Sequence, residues 1–184
     1  MSESAQGNMM GRTTNAAVVP NGHTACRILV VDIADMAVSD DPSCELVTYS
    51  LGSCLGVAIY DPAIRLGGMA HCMLPLSMID PEKAKEKPCM FVDTGVLRLL
   101  KQLFDRGLKR SRAIVKIAGC AKVFETGGVF RIGERNCAVL RKVLWKNDLL
   151  IAAEDIGGDA TRTLRLDIGS GRFLLKRGKE TFEL

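Results

Sequence analysis

Two apolar runs separated by a proline-opened turn constrain this chain more than any other feature: Leu55-Gly-Val-Ala-Ile-Tyr60 and Leu66-Gly-Gly-Met-Ala-His-Cys-Met-Leu74, with Asp61-Pro62 between them. Runs of this kind bounded by turn formers read as strands, and so short a gap closes them as an antiparallel hairpin. Pairing Tyr60 with Arg65 across a loop at 61–64 sets Cys54 opposite His71, and a slip of one residue sets Cys72 there instead. Opposed positions in such a pair lie within roughly 4.5–5.5 Å, which is within side-chain reach of a hydrogen bond. Cys54 ends the glycine-containing bend Leu51-Gly-Ser-Cys54, and His71 is one of only two histidines in the chain. A thiol beside an imidazole is the minimum equipment for nucleophilic attack on a carbonyl carbon.

Other properties narrow the class. With 184 residues and 47% hydrophobic content, the chain is long enough to bury a core as one domain, expected over 26–184. No run is long enough to cross a bilayer, so membrane insertion is not expected. Residues 1–25 are rich in Ser, Asn, Gly and Thr and lack an apolar stretch with a cleavage site, so a disordered tail is expected rather than a signal peptide. Seven cysteines show no C-x-x-C spacing, which points to free thiols in a reducing cytoplasm; six of them, all but Cys54, read as small buried hydrophobes. No metal or cofactor is implied. The net charge of +4 and 5% aromatic content argue against nucleic acid, leaving the basic clusters at 98–112 and 172–179 as solvated faces or as steering toward an acidic protein partner.

Along the chain, strands are expected at 27–38, 44–51, 55–60, 66–74, 113–118, 149–155, 161–168 and 172–177, the last two joined by Gly169-Ser170-Gly171. Residues 76–89 read as a mobile loop, and a second loop runs from Gly119 through Gly127-Gly128. Helices are expected over about 91–107, burying Val92, Val96, Leu99, Leu100 and Leu103, and over about 133–147, burying Cys137, Leu140, Val143 and Leu144. The sum is an α+β fold: mostly antiparallel β-sheet layers with two long helices packed on one side, an α/β/β sandwich. His23 reads as an idle tail residue, Glu134-Arg135 as helix-start charges, and Glu154-Asp155 as turn-capping carboxylates.

The blocks Leu51-Gly-Ser-Cys54, Tyr60-Asp-Pro62, Gly67-Gly-Met-Ala-His-Cys-Met-Leu-Pro75, Ile132-Gly-Glu-Arg-Asn136 and Ala153-Glu-Asp-Ile-Gly-Gly158 resemble the CheD family of chemoreceptor glutamine deamidases, over about residues 27–178. The resemblance implies a catalytic set of Cys54, His71 and Thr48, the threonine six residues ahead of the cysteine. It also implies a cytoplasmic hydrolase that turns glutamines of the chemoreceptor helical domain into glutamates through a Cys54 thioester, and in some relatives cleaves glutamyl methyl esters. Backbone N–H groups at Gly52-Ser53-Cys54 are the candidate oxyanion donors. Thr48 would orient the imidazole, as a carboxylate does in other triads. The resemblance further implies binding to a CheC-type phosphatase, and a regulatory module that keeps that surface without turnover is the alternative reading. One departure is Gly119-Cys-Ala-Lys-Val-Phe124, where the family pattern has a second glycine at Cys120 and a methionine at Val123.

Overall fold

A computed structural model describes residues 26–122 and 131–184. Its strands are β1 (Arg27–Val30), β2 (Asp35–Ser39), β3 (Cys44–Leu51), β4 (Leu55–Asp61), β5 (Leu66–Cys72), β6 (Ile114–Gly119), β7 (Ile151–Ile156), β8 (Arg162–Asp167), β9 (Phe173–Arg177) and β10 (Glu180–Glu183). Its helices are α1 (Pro81–Glu86), α2 (Val92–Asp105) and α3 (Ile132–Lys146).

The strands form two five-stranded sheets, ordered β1-β3-β8-β9-β10 and β2-β5-β4-β6-β7. Pairing is antiparallel except at β1–β3 and β6–β7. One core fills the space between the sheets, with Leu46, Leu51, Tyr60, Met69, Leu166 and Phe173 in it. A second lies between the β4–β5 sheet and the helices, where Leu55, Ile59, Val96, Leu99, Leu103 and Leu140 meet. The architecture is the α/β/β sandwich expected from the sequence. β4 and β5 form the middle layer, covered on both faces, and every residue in them is buried. The helical stripes bury the apolar residues named for them, and α3 additionally buries Gly133 and Asn136.

Several expectations need correction. The hairpin pairs Tyr60 with Gly67, Gly56 with His71 and Leu55 with Cys72. Arg65 has φ +48 and belongs to the turn, so neither His71 nor Cys72 lies opposite Cys54. The register has moved two residues from the first pairing considered, and an even shift leaves both side chains on the same face of the sheet. The expected strand at 27–38 is two strands in different sheets. Ala34, at φ +62, turns the chain between them, and the Asp35 N–H donates to Asp32 O at 3.2 Å.

Residues 76–89 are not an open loop. Asp80 caps α1 by accepting from the Lys83 N–H at 2.9 Å, Pro81 occupies the first turn, and short 3₁₀ turns flank the helix. Strand β10 was not foreseen; the turn through Gly178, at φ +60, folds it back on β9. Glu154 and Asp155 lie in β7 and form ion pairs instead of capping a turn: Glu154 with Arg141, Asp155 with Arg162 and Arg177. Of the six cysteines expected to be buried, Cys26 is exposed, at the outer end of β1. The expectations for residues 1–25, including His23, and for the loop through Gly127-Gly128 lie outside the described residues.

Candidate active site

Cys54 is the last residue of a bend that carries the chain out of β3, in one sheet, into β4 in the other. The bend is held by its carbonyls. Gly52 O accepts from the Ala121 N–H at 2.8 Å, Cys54 O from the Cys120 N–H at 2.8 Å, and Ser53 O from Asn136 Nδ2 at 3.2 Å. Among the described residues, the N–H groups of Gly52, Ser53 and Cys54 donate to no backbone carbonyl. In the two peptide units 52–53 and 53–54 the oxygens are thus engaged, which leaves the Ser53 and Cys54 N–H groups as candidate donors to negative charge.

Gly119 is required at this junction. Its φ is +104, and a Cβ there would stand 2.3 Å from Cys54 O. Cys120 follows at φ +53. The second glycine of the family pattern would suit this left-handed backbone, which cysteine adopts at a cost of roughly 1–2 kcal/mol.

His71 enters from β5 toward the other sheet. Its Nδ1 lies 2.8 Å from Thr48 Oγ1 on β3, and the same hydroxyl donates to Val31 O at 2.8 Å. A threonine hydroxyl has one proton. With that proton committed to Val31 O, Oγ1 accepts from Nδ1–H, which fixes the tautomer and leaves Nε2 as an unprotonated acceptor. Thr48 is wholly buried and His71 is 1% exposed, so the pair is shielded from competing water.

Among the described residues Nε2 has no hydrogen-bond partner, so no hydrogen bond joins it to Cys54 Sγ in this resting geometry. Catalytic contacts of this kind often tighten only when substrate binds. Cys54 packs against the core between the sheets, the side into which His71 points. Burial pulls the His71 pKa down to about 4 against an upward pull from Asp32, keeping the ring neutral at pH 7. Burial also raises the Cys54 thiol, and its own backbone N–H acts in the opposite direction. The resting pair is therefore a neutral thiol and a neutral imidazole.

Thr48 and His71 thus meet across the two sheets, and Cys54, preceded by Gly52 and Ser53, lies on the connection between them. Asn136, Val31 and Asp32 are the participants that the sequence reading missed. Asn136 had a visible signal: it is a polar residue in the buried stripe of α3, level with Gly133, Cys137 and Leu140. The Val31 carbonyl has no side-chain signature. Among the described residues no cluster of three or more His, Cys, Asp or Glu side chains is arranged to hold a metal.

A family model described as CheD chemotactic sensory transduction matches residues 73–177. The probable chemoreceptor glutamine deamidase CheD of Solibacter usitatus is 47% identical over 156 residues, covering 85% of this chain and 92% of its own length. The chain belongs to the CheD family. The probable chemoreceptor glutamine deamidase CheD 1 of Syntrophus aciditrophicus is 45% identical, over 80% of this chain and 92% of its own. CheD 2 of Anaeromyxobacter dehalogenans, named in the same way, is 40% identical, over 85% and 99%. The family-model match lies beyond all three candidate residues, whereas a match over 156 of 184 residues necessarily takes in Thr48, Cys54 and His71. No helix among the described residues is long and apolar enough to cross a membrane.

Proposed function

We propose that this CheD-family chain is a protein-glutamine deamidase acting on chemoreceptors, with Cys54 as nucleophile, His71 as proton carrier and Thr48 as its orienting partner. The observation that carries the reading is the two-sided hydrogen bonding of Thr48, which presents a bare Nε2 on the side of the fold where Cys54 packs. The relatives' names supply the substrate class.

The chemistry follows from these groups. As a glutamine carboxamide approaches, the Cys54 thiol passes its proton to His71 Nε2 and the sulfur bonds to the carboxamide carbon. The C=O electron pair moves onto oxygen, and the resulting oxyanion is held by backbone N–H groups of the 52–54 bend. Removing one such donor costs about 10²–10³ in rate in other enzymes. The imidazolium gives its proton to the nitrogen, the C–N bond breaks, and ammonia leaves a thioester. Neutral His71 then takes a proton from water, whose oxygen attacks the thioester carbon. Collapse expels the Cys54 thiolate, which recovers the proton, and the product is glutamate. The balance is glutamine plus water to glutamate plus ammonia, with no cofactor.

The same acyl-enzyme would accept a glutamyl methyl ester, releasing methanol. The amide is the substrate favoured here, because the relatives are named for it. Binding of a CheC-type phosphatase and a cytoplasmic location also belong to the proposal. Conversion of receptor glutamines is read by mass spectrometry of chemoreceptor signalling domains incubated with wild type and with Cys54→Ala. Site-specific amide-to-acid conversion by wild type alone is the expected result. Equal conversion by the variant would falsify the mechanism, and none by wild type would leave the binding-module reading in its place.

A further inference from the structure

The β4–β5 ladder ends at the Leu55–Cys72 rung, and the next rung would pair Cys54 with Met73. A side chain from α3 fills that gap. Asn136, with none of its surface exposed, donates from Nδ2 to Ser53 O at 3.2 Å and to Met73 O at 3.0 Å. Both partners are carbonyl oxygens, which only accept, so the orientation of the carboxamide is determined and both Nδ2 protons are used. One group thereby joins the peptide that precedes the nucleophile to the strand that carries His71, two residues beyond the imidazole.

The bond to Ser53 O has a directional consequence. There are no cis peptides among the described residues, and in a trans peptide the C=O and N–H of one unit point in opposite directions. Turning Ser53 O toward α3 therefore turns the Cys54 N–H away from it, onto the side of Cys54 Sγ. The sulfur feels this N–H as the one influence that opposes burial on its acidity. Gly133, one helical turn earlier, lets α3 come this close: a Cβ there would stand 2.5 Å from Cys120 O.

We infer that Asn136 is a positioning residue for the deamidation step, its carboxamide holding the Ser53–Cys54 peptide so that the Cys54 N–H faces first the thiolate and then the oxyanion. This deepens the deamidase reading and rests on it. Asn136 touches neither substrate nor sulfur; it acts through the peptide, so its removal slows the chemical step and leaves docking alone.

The test uses the full chain carrying Cys26→Ala, so that Cys54 is the one cysteine outside the buried set. Asn136→Leu, similar in size but without donors, is expected to lower kcat ten- to a hundredfold with KM within about twofold. The pH midpoint for iodoacetamide alkylation of Cys54 should move up by about one unit. A folded Asn136→Leu protein with wild-type kcat and alkylation profile overturns the assignment. Asn136→Asp provides the check if the leucine variant does not fold. Its protonated carboxyl donates to one carbonyl while its carboxylate repels both, so its activity relative to wild type should fall as pH rises. A profile parallel to wild type at every pH overturns the assignment equally. The alkylation readout needs no substrate: absence of deamidation by the parent protein sinks the deamidase reading, whereas an unmoved Cys54 profile sinks only the role of Asn136.

Discussion

At Thr48, one hydroxyl proton decides the protonation pattern of the site. Replacing Thr48 by valine keeps the shape but removes the acceptor for Nδ1–H and the donor to Val31 O. The ring can then take either tautomer, and two buried groups lose partners at about 1–3 kcal/mol each. Thr48→Val should retain a few per cent of wild-type kcat with a lowered melting temperature, as measured by steady-state assay and calorimetry. The His71 pKa of about 4 sets the pH behaviour. The free enzyme needs a neutral ring, so the acid limb of kcat/KM should fall near pH 4; a limb near 6.5 would refute the burial argument. The sign for stability follows. Between pH 6.5 and 4 the unfolded chain binds a proton that the folded ring refuses, so stability declines as pH drops through that window, by about 3 kcal/mol in all. Thermal melts of wild type and His71→Gln across this range should show the smaller decline in the variant. Cys54 and His71 stood out in the sequence because a glycine bend precedes the hairpin whose second strand carries one of the chain's two histidines. Their mutual position was not, since Arg65 in the turn moves the pairing by two.

The elements owe their placement to a few close approaches. Glycine within a helix normally costs about 1 kcal/mol relative to alanine. At Gly133 the sign should invert, because the added methyl would press on Cys120 O and lift α3 from the bend it braces. Urea titration of Gly133→Ala should show a loss of stability, with activity falling alongside as Asn136 is drawn from Ser53. The helices were readable because their buried faces follow a 3.6-residue period. The break in the 27–38 segment was not, because the residue that turns is Ala34, which carries none of the usual turn chemistry. The order at 76–89 was readable in hindsight from Asp80-Pro81, a capping residue followed by a helix-starting proline. Strand β10 hid in a charged tail whose sides alternate too briefly to register.

Across the whole molecule, the proposed site is stitched from both sheets: the imidazole comes from one, its threonine from the other, and the thiol from the connection between them. Packing between the sheets should therefore be felt in turnover, and packing beneath α2 much less. Phe173→Ala, in the core between the sheets, is expected to cost about 3–5 kcal/mol and to lower kcat at temperatures where the protein remains folded. Leu99→Ala, on the helical side, should cost about 2–5 kcal/mol with kcat near wild type. Paired denaturation and kinetic measurements separate the two, and equal kinetic effects would count against the stitched site. The three layers followed from the run of strands and helices, and the contact of Thr48 with His71, 23 residues apart, was implied by the family resemblance though no pattern within the sequence itself marks it. A hydroxyl in the orienting position also leaves the resting trio of Thr48, His71 and Cys54 without formal charge. Dissolved ions have little there to screen, so single-turnover chemistry should hold nearly constant as ionic strength rises, and any salt sensitivity of the overall reaction would belong to the encounter with the substrate protein.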